Sequence, residues 1–322
     1  MNVKFINLKN EIQKNFYPVV SIEGEDAYLR GKAVEIIREN LNIVLPDINI
    51  SSFTDDSSVE DILYACESLP FGSVKKMVIA DFSNTAKAAF NSAERERLQK
   101  YFVNPNEYCC LAFITAQKND LFKSEKILNI DCGKLEKNSL IKWVKSKFIS
   151  VNKSIADDAA ETLIEYCLFD MTRISAETEK LISYSNNITI GDVNALVHKD
   201  IEYQIFDLST YISAKKGDAA LETLEQMLKS GEEATGLLAL LYNFYRRMYY
   251  ISVSADSDAE IANKLNIKEY AITKTRSVLS KYTPLKLKNA LAFFETAEVN
   301  IKKTWGKDGE QLRLTVLKLL NL

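Results

Sequence analysis

The feature that most constrains the fold is a change of pattern near residue 140. Before it, short apolar runs alternate with segments whose apolar residues recur every three or four positions, which indicates strands alternating with helices. From Asn138 onward the strand pattern stops, and helical segments separated by capping residues follow. We therefore predict an α/β domain with a largely parallel sheet, followed by an all-helical remainder.

The α/β part is predicted from apolar runs and helix caps. The predicted strands are Val19–Ile22, Lys76–Phe82 and Tyr108–Thr115. Asp26 is placed to cap a helix that runs to about Leu41, and Ser58 to cap a second helix that Pro70 and Gly72 end. A third, charged helix is predicted from Ser92 to Phe102.

The helical remainder is predicted to contain two domains. We place boundaries near Leu140 and Asp207, which gives domains of residues 1–140, 141–207 and 208–322. Caps expected from Asn138 onward are Asn138 itself, Asp170 and the box Thr189–Asp192. The long helices expected in the last domain are Ala234–Val253, Pro284–Lys303 and Gly309–Leu320.

Composition excludes several classes of protein. A net charge of −3 gives no general reason to coat DNA or an anionic membrane, so any DNA contact must be local. No apolar run is long enough to suggest a membrane span. The five cysteines form no C-x-x-C pair, which argues against a zinc module or a disulfide framework and favours a reducing, cytoplasmic setting.

The strongest candidate for a phosphate loop fails on chemistry. It follows the first strand, but six residues separate Gly24 from Gly31, where a Walker A loop needs four. Ala33 also offers no hydroxyl for magnesium. Asp81 ends an apolar strand as a Walker B aspartate would, but Phe82 follows it in place of a catalytic glutamate. We predict an ordinary strand-to-helix turn, with no nucleotide or other cofactor.

Catalytic motifs are missing from the sequence as well. The single histidine, His198, lies beside Lys199 and Asp200 with no nucleophile motif in view, and a surface position is expected for it. No H-E-x-x-H or G-x-S-x-G motif occurs. The sequence therefore predicts no metal site and no catalytic residues.

Two segments are candidates for binding. Leu69 and Phe71 flank Pro70 at a predicted helix end, where they either anchor a partner or fold back on the sheet as an apolar cap; spacing alone favours the cap. Tyr242–Tyr250 interleaves aromatic and basic residues. Helical spacing favours core packing for this run, with Arg246 and Arg247 as candidates for contact with DNA or a neighbouring subunit.

An ordered series of segments resembles one known family over essentially the whole chain. The segments are Gly24–Leu29, Leu69–Gly72, Lys75–Ile79, Asn138–Val144, Glu177–Leu181, Ile188–Val193, Ile205–Leu208, Gly231–Glu233 and Asn300–Lys303. In this order they resemble the delta subunits of the bacterial DNA polymerase III clamp loader.

The resemblance implies an AAA+-like first domain without ATPase machinery, a helical lid and an oligomerising collar. It implies a subunit of the DNA polymerase holoenzyme that has no catalysis of its own. In this family apolar residues at a helix tip grip the β sliding clamp, and here they correspond to Leu69 and Phe71, with Pro70 between them. Some members carry the two residues adjacent to each other, so the spacing here departs slightly from theirs. The partners implied are the clamp, the gamma/tau ATPase subunits, delta-prime, and primer-template DNA within the complex.

Two other functions remain open from the residues. One is an AAA+ ATPase of replication or repair with a degenerate phosphate loop, which would bind magnesium-ATP tightly. The other is a stand-alone helical DNA-binding adaptor, whose affinity for DNA would depend strongly on salt. The near-neutral charge argues against the adaptor.

Overall fold

The computed structural model describes residues 1–84, 90–122, 124, 126–267, 269–303 and 307–322. The chain divides into two compact units. The first comprises residues 1–164 and 169–196, and the second comprises residues 165–168 and 197–322.

The first unit is built on a six-stranded sheet. Its strands are β1 (Asn2–Lys4), β2 (Val19–Glu23), β3 (Ile50–Thr54), β4 (Lys76–Asp81), β5 (Cys109–Thr115) and β6 (Leu128–Asp131). Its first five helices are α1 (Leu8–Ile12), α2 (Ala27–Leu41), α3 (Pro46–Asn49), α4 (Val59–Glu67) and α5 (Ser92–Val103). The strand order is β1-β6-β2-β5-β4-β3, and every pair is parallel. The predicted α/β class and parallel sheet are confirmed.

The central strands are mostly apolar and are buried on both faces. All seven residues of β5 and all five of β2 are buried, as expected for strands covered on both sides. Caps fix where the neighbouring helices begin. The Asp26 side chain accepts from the Leu29 amide at the start of α2, and Ser58 accepts from the Asp61 amide at the start of α4. Both predicted caps are confirmed.

Helices α4 and α5 share a core with β4 and β5. Ile62 and Cys66 of α4 are fully buried in this core. The ring of Phe113 on β5 lies 5.1 Å from that of Phe122 and 5.8 Å from that of Phe82, measured between centroids. This aromatic cluster fixes one face of α4 against the sheet.

The rest of the first unit is mainly helical. It contains α6 (Lys137–Ile149), α7 (Asp157–Tyr166), α8 (Met171–Tyr184) and α9 (Ile190–Leu196), and two short strands, β7 (Ser154–Ile155) and β8 (Asn187–Ile188). The β7–β8 pair is parallel, so the prediction that strands end before Asn138 is wrong for these two. Asn138 is not a cap, because α6 begins at Lys137 with Glu136 at its N-cap. The Asp170 cap and the Thr189–Asp192 box are confirmed.

The described residues of the second unit form helices joined by loops, with no strand among them. Its helices are α10 (Ile201–Ser213), α11 (Gly217–Lys229), α12 (Ala234–Val253), α13 (Asp258–Leu265), α14 (Glu269–Leu279), α15 (Pro284–Lys303) and α16 (Asp308–Leu320). Helix α12 is the centre of its core, with Tyr245 fully buried and its hydroxyl 3.1 Å from that of Tyr282. The three long helices are confirmed, since predicted and observed bounds differ by at most one residue.

The predicted domain boundaries lie inside helices. Leu140 falls within α6 and Asp207 within α10, whereas the second unit resumes at Val197. The division into an N-terminal domain, a lid and a collar stays a prediction. Within the described ranges, no helix has the length and apolar character that crossing a membrane requires.

Candidate partner-binding site

The candidate site is the loop between α4 and β4, at the edge of the sheet where β4 and β5 begin. Both predicted anchors face solvent there, with 76% of Leu69 and 65% of Phe71 exposed. Pro70 between them is half-buried. The alternative in which the two side chains fold back on the sheet is therefore wrong.

The helix that leads into this loop is held at its last turn. Lys76 is 5% exposed, and its Nζ donates to the carbonyl of Ala65 at 2.7 Å and to Oγ of Ser68 at 2.6 Å. Nδ2 of Asn106 donates to the carbonyl of Cys66 at 2.9 Å. Carbonyls at a helix C-terminus have no partner within the helix and carry partial negative charge, so a cation and an amide stabilise them. The end of α4 is thereby fixed to the sheet.

The loop itself is held by one buried asparagine. The Asn49 side chain is 1% exposed, and its Oδ1 accepts from the Phe71 amide at 2.8 Å. Its Nδ2 donates to the carbonyls of Phe71 at 2.9 Å and of Val44 at 2.7 Å. The backbone on both sides of Phe71 is therefore fixed while the phenyl ring remains free to contact a partner.

A second loop extends the apolar surface. Oγ of Ser73 accepts from the Val44 amide at 3.2 Å, and a Cβ added at Gly72 would lie 3.6 Å from Cδ1 of Leu45. Val44, Leu45 and Val74 are all exposed. We call Leu69, Phe71, Val74, Val44 and Leu45 the tip surface. Exposed apolar side chains grouped in this way mark interaction sites more often than single ones do.

Sequence reasoning found Leu69 and Phe71 but missed Asn49 and Lys76. Asn49 is the last residue of α3, 22 residues before Phe71, and no local motif connects the two positions. Lys76 begins a strand, where a lysine is normally exposed. A charged residue at the start of an otherwise apolar strand was the one available signal, and it does not specify a partner.

The opposite edge of the sheet is closed where a phosphate loop would lie. Gly24 has φ +145°, and a Cβ added to it would lie 2.2 Å from the backbone carbon of Cys132. Its amide donates to the carbonyl of Thr115 at 3.1 Å, and the Asp26 amide donates to the carbonyl of Cys132 at 3.2 Å. Both amides are thus already bonded to the ends of strands. Ala33 is buried on the inner face of α2.

The other predicted polar residues lie on the surface or at strand ends. Oδ1 of Asp81 accepts from the Ser83 amide at 2.9 Å, as a strand-end aspartate does. His198 is exposed, as expected. No group of three or more His, Cys, Asp and Glu side chains in the described part of the chain is arranged to hold a metal ion.

The candidate arginines lie in the second unit, on α12. Arg246 is exposed, with its guanidinium carbon 5.9 Å from the centre of the Tyr242 ring. Arg247 is half-buried, with its guanidinium carbon 5.1 Å from the centre of the Phe244 ring. Phe244, Tyr245 and Met248 are buried, so the preference for core packing of this run is confirmed.

Comparison with known proteins agrees with this description. The family model for the DNA polymerase III delta subunit matches residues 21–145, and the model for the C-terminal domain of that subunit matches residues 202–319. The curated Bacillus subtilis DNA polymerase III subunit delta is 23% identical, over 94% of this chain and 92% of that protein. The probable DNA polymerase III subunit delta of Aquifex aeolicus is 22% identical, again over 94% of this chain and 92% of that protein.

A solved structure supports the fold. The structure of the Bacillus subtilis DNA clamp loader delta protein superposes with a TM-score of 0.79 at 20% identity, over 99% of this chain and all of that one. The two family models together span both units. The chain belongs to the DNA polymerase III delta subunit family, whose members are components of the polymerase holoenzyme.

Proposed function

We propose that this chain binds and opens the β sliding clamp so that the clamp can be loaded onto primed DNA. The observation that carries the proposal is the tip surface, in which two large apolar side chains face solvent on a backbone held by Asn49. Leu69 and Phe71 insert into an apolar pocket of the clamp. Pro70 restricts the backbone conformation between them.

The energy available is sufficient to bias a protein interface. Burying a leucine and a phenylalanine side chain contributes roughly 3 to 6 kcal/mol before ordering costs. Because hydrogen bonds already fix the backbone of Phe71, little further order has to be imposed on binding. Opening follows if the tip surface binds the opened or distorted ring more tightly than the closed ring, since a ligand shifts an equilibrium only by its differential affinity.

The rest of the cycle belongs to partner subunits. The amides that would hold a phosphate are bonded to strand ends, which supports a subunit with no ATPase activity of its own. ATP hydrolysis is assigned to the gamma/tau subunits, and the chain assembles with them and with delta-prime in the cytoplasm. Arg246 and Arg247 are proposed to contact primer-template DNA or a neighbouring subunit within that complex.

The test is binding of the full chain to its sliding clamp, measured by surface plasmon resonance. Leu69→Ala/Phe71→Ala is expected to weaken binding by about a hundredfold or more, because two buried anchors are truncated. Its melting temperature should stay close to that of the wild type, since neither side chain contributes to the core. A melting temperature that falls with the affinity would indicate a structural role instead.

The matched control removes two equally exposed apolar side chains elsewhere in the first unit. Val103 and Ile149 are each 67% exposed, on α5 and α6. The double variant Val103→Ala/Ile149→Ala should bind the clamp like the wild type. Equal losses in both double variants would exclude the tip surface as the specific site, and no binding by the wild type would exclude the proposed function.

A further inference from the structure

A cavity of about 400 Å³ lies within the second unit, apart from the tip surface. Much of its wall is apolar, formed by Ile205, Leu240, Leu265 and Ile267. Polar groups also line it, among them the side chains of Arg247 and Glu202. A mostly apolar cavity with a few convergent polar groups is the usual form of a ligand site.

Arg247 is the unusual member of this lining. Its Nε is closed off from solvent and has no hydrogen-bond partner among the described residues. It also lines a second, smaller cavity of about 30 Å³. Burial lowers the pKa of the Arg247 guanidinium, and the nearby charge of Glu202 partly offsets that effect. A buried N–H without an acceptor is costly, and a bound anion that accepts from Nε would remove that cost.

We propose that this cavity binds a carboxylate carried on an apolar or aromatic body, as in an acidic residue beside an aromatic one in a partner protein. A carboxylate accepts two parallel hydrogen bonds from the planar guanidinium, and so matches the donor that lacks a partner. The apolar walls cover the attached body. This inference does not depend on clamp binding by the tip surface.

A peptide carboxylate fits the lining better than a nucleic-acid phosphate does. The Glu202 carboxylate lines the same cavity and repels a chain of phosphates more strongly than a single charge. Protein surfaces that bind nucleic acid are polar and strongly basic, whereas this wall is mainly apolar. Arg246, Arg247 and Glu202 together give the lining a net charge of +1, which balances one carboxylate.

The first experiment uses 3-phenylpropionate as the probe and 3-phenylpropionamide as its uncharged control. Both are titrated into the full-length chain, and binding is followed by saturation-transfer NMR. A probe of this size should bind the wild type with Kd on the order of 1 mM. The amide should bind about tenfold more weakly or worse, because it removes a charged hydrogen bond. No saturable binding of the acid, or equal affinity of acid and amide, would overturn the proposal.

Three variants test whether the probe binds in this cavity. Arg247→Met keeps an unbranched chain over Phe244 and should weaken the acid about tenfold or more, down to the affinity of the amide. Glu202→Gln removes a repulsive charge and should tighten acid binding roughly threefold, an effect that a merely structural role would not produce. Arg276→Met is the control, because Arg276 is paired with Asp258 and does not line the cavity. It should bind the probe like the wild type.

The amide comparison and Glu202→Gln decide the question even if Arg247→Met fails to fold. Unchanged affinity for the acid in Glu202→Gln would count against the cavity as its site. Acetyl-Asp-Phe-amide should compete with the probe at lower concentration than acetyl-Asn-Phe-amide, which would show that the site accepts a carboxylate carried on a peptide. Competition by neither peptide would limit the site to free carboxylates. Displacement of the probe by oligothymidylate at a lower concentration than by the acidic peptide would assign the site to nucleic acid and overturn the proposal.

Discussion

The two edges of the parallel sheet differ in what they present to solvent. At the edge where β4 and β5 begin, backbone groups are paired but Leu69 and Phe71 project outward. At the opposite edge, Gly24 lies against the backbone of Cys132 and Gly133, and the amides after β2 are bonded to strand carbonyls. Ligands of open parallel sheets normally bind at the carboxyl ends of the strands. Here that edge is closed by backbone contacts, and the residues proposed to bind the clamp lie at the other edge.

In the function we propose, the chain binds its protein partner at the edge opposite the closed one. The closed edge depends on a glycine that permits close backbone approach. The binding edge depends on Asn49 and Lys76, which hold a short loop without covering its side chains. The predictions below disturb each edge separately.

The largest effect is expected at the closed edge. Gly24→Ala places a Cβ within 2.2 Å of backbone atoms at a positive φ, so the chain must shift. We expect a loss of roughly 3 kcal/mol or more in the free energy of unfolding and a fall in melting temperature of roughly 10 °C. Urea unfolding and calorimetry measure both quantities.

Gly31→Ala is the matched control for this prediction. Gly31 lies inside α2, and a Cβ added there meets nothing within 4 Å. Replacing a glycine inside a helix by alanine should stabilise the chain by about 0.5 to 1 kcal/mol. If both variants behaved alike, close backbone approach at Gly24 would not be what closes this edge.

A smaller effect is expected at the binding edge. Asn49→Ala removes four hydrogen bonds to backbone groups of the two loops and should cost about 1 to 3 kcal/mol of stability. Clamp binding should weaken roughly tenfold although Leu69 and Phe71 are intact, because the loop must then be ordered on binding. Plasmon resonance and urea unfolding provide the two values.

Asn321→Ala is the control, since that side chain donates one exposed hydrogen bond, to the carbonyl of Leu317. It should change stability by less than about 0.5 kcal/mol and leave clamp binding unchanged. Unaltered clamp affinity in Asn49→Ala would mean that the fixed backbone is not needed for binding.

The smallest effect is expected from nucleotide. A ligand present at a hundred times its Kd stabilises a protein by about 2.7 kcal/mol, which raises the melting temperature by several degrees. Magnesium-ATP at about 1 mM should instead shift the melting temperature by less than about 1 °C, because the amides after β2 are already bonded. A rise of several degrees in the melting temperature would instead favour the alternative that this chain is an ATPase with a degenerate phosphate loop.

Much of the fold followed from local pattern. The strands β2, β4 and β5 are buried runs, and the helices α2, α4 and α12 have clear caps or apolar faces, so periodicity identifies them. The missed strands β1, β3, β6, β7 and β8 are short or partly polar. Strand β1 pairs Asn2 with Asn129, and a contact across such a separation leaves no trace in the sequence around either residue.

The sequence identified the two apolar side chains of the candidate site, but not the residues that hold their loop in place. Leu69 and Phe71 stand out because two large apolar residues flank a proline at a helix end, where the chain must turn. Their exposure could not be predicted, since the same pattern suits a cap on the sheet. The Phe71 backbone is held by hydrogen bonds from Asn49, which belongs to a different loop.

The most direct test of the account is contact between residue 71 and the clamp. A photoreactive benzoylphenylalanine is introduced at position 71, and at position 103 as the control, and the full chain is irradiated with its sliding clamp. We expect an efficient crosslink from position 71 to an apolar pocket of the clamp, and none from position 103. Crosslinking from position 103 but not from position 71 would contradict the central claim that the tip surface is the clamp-binding site.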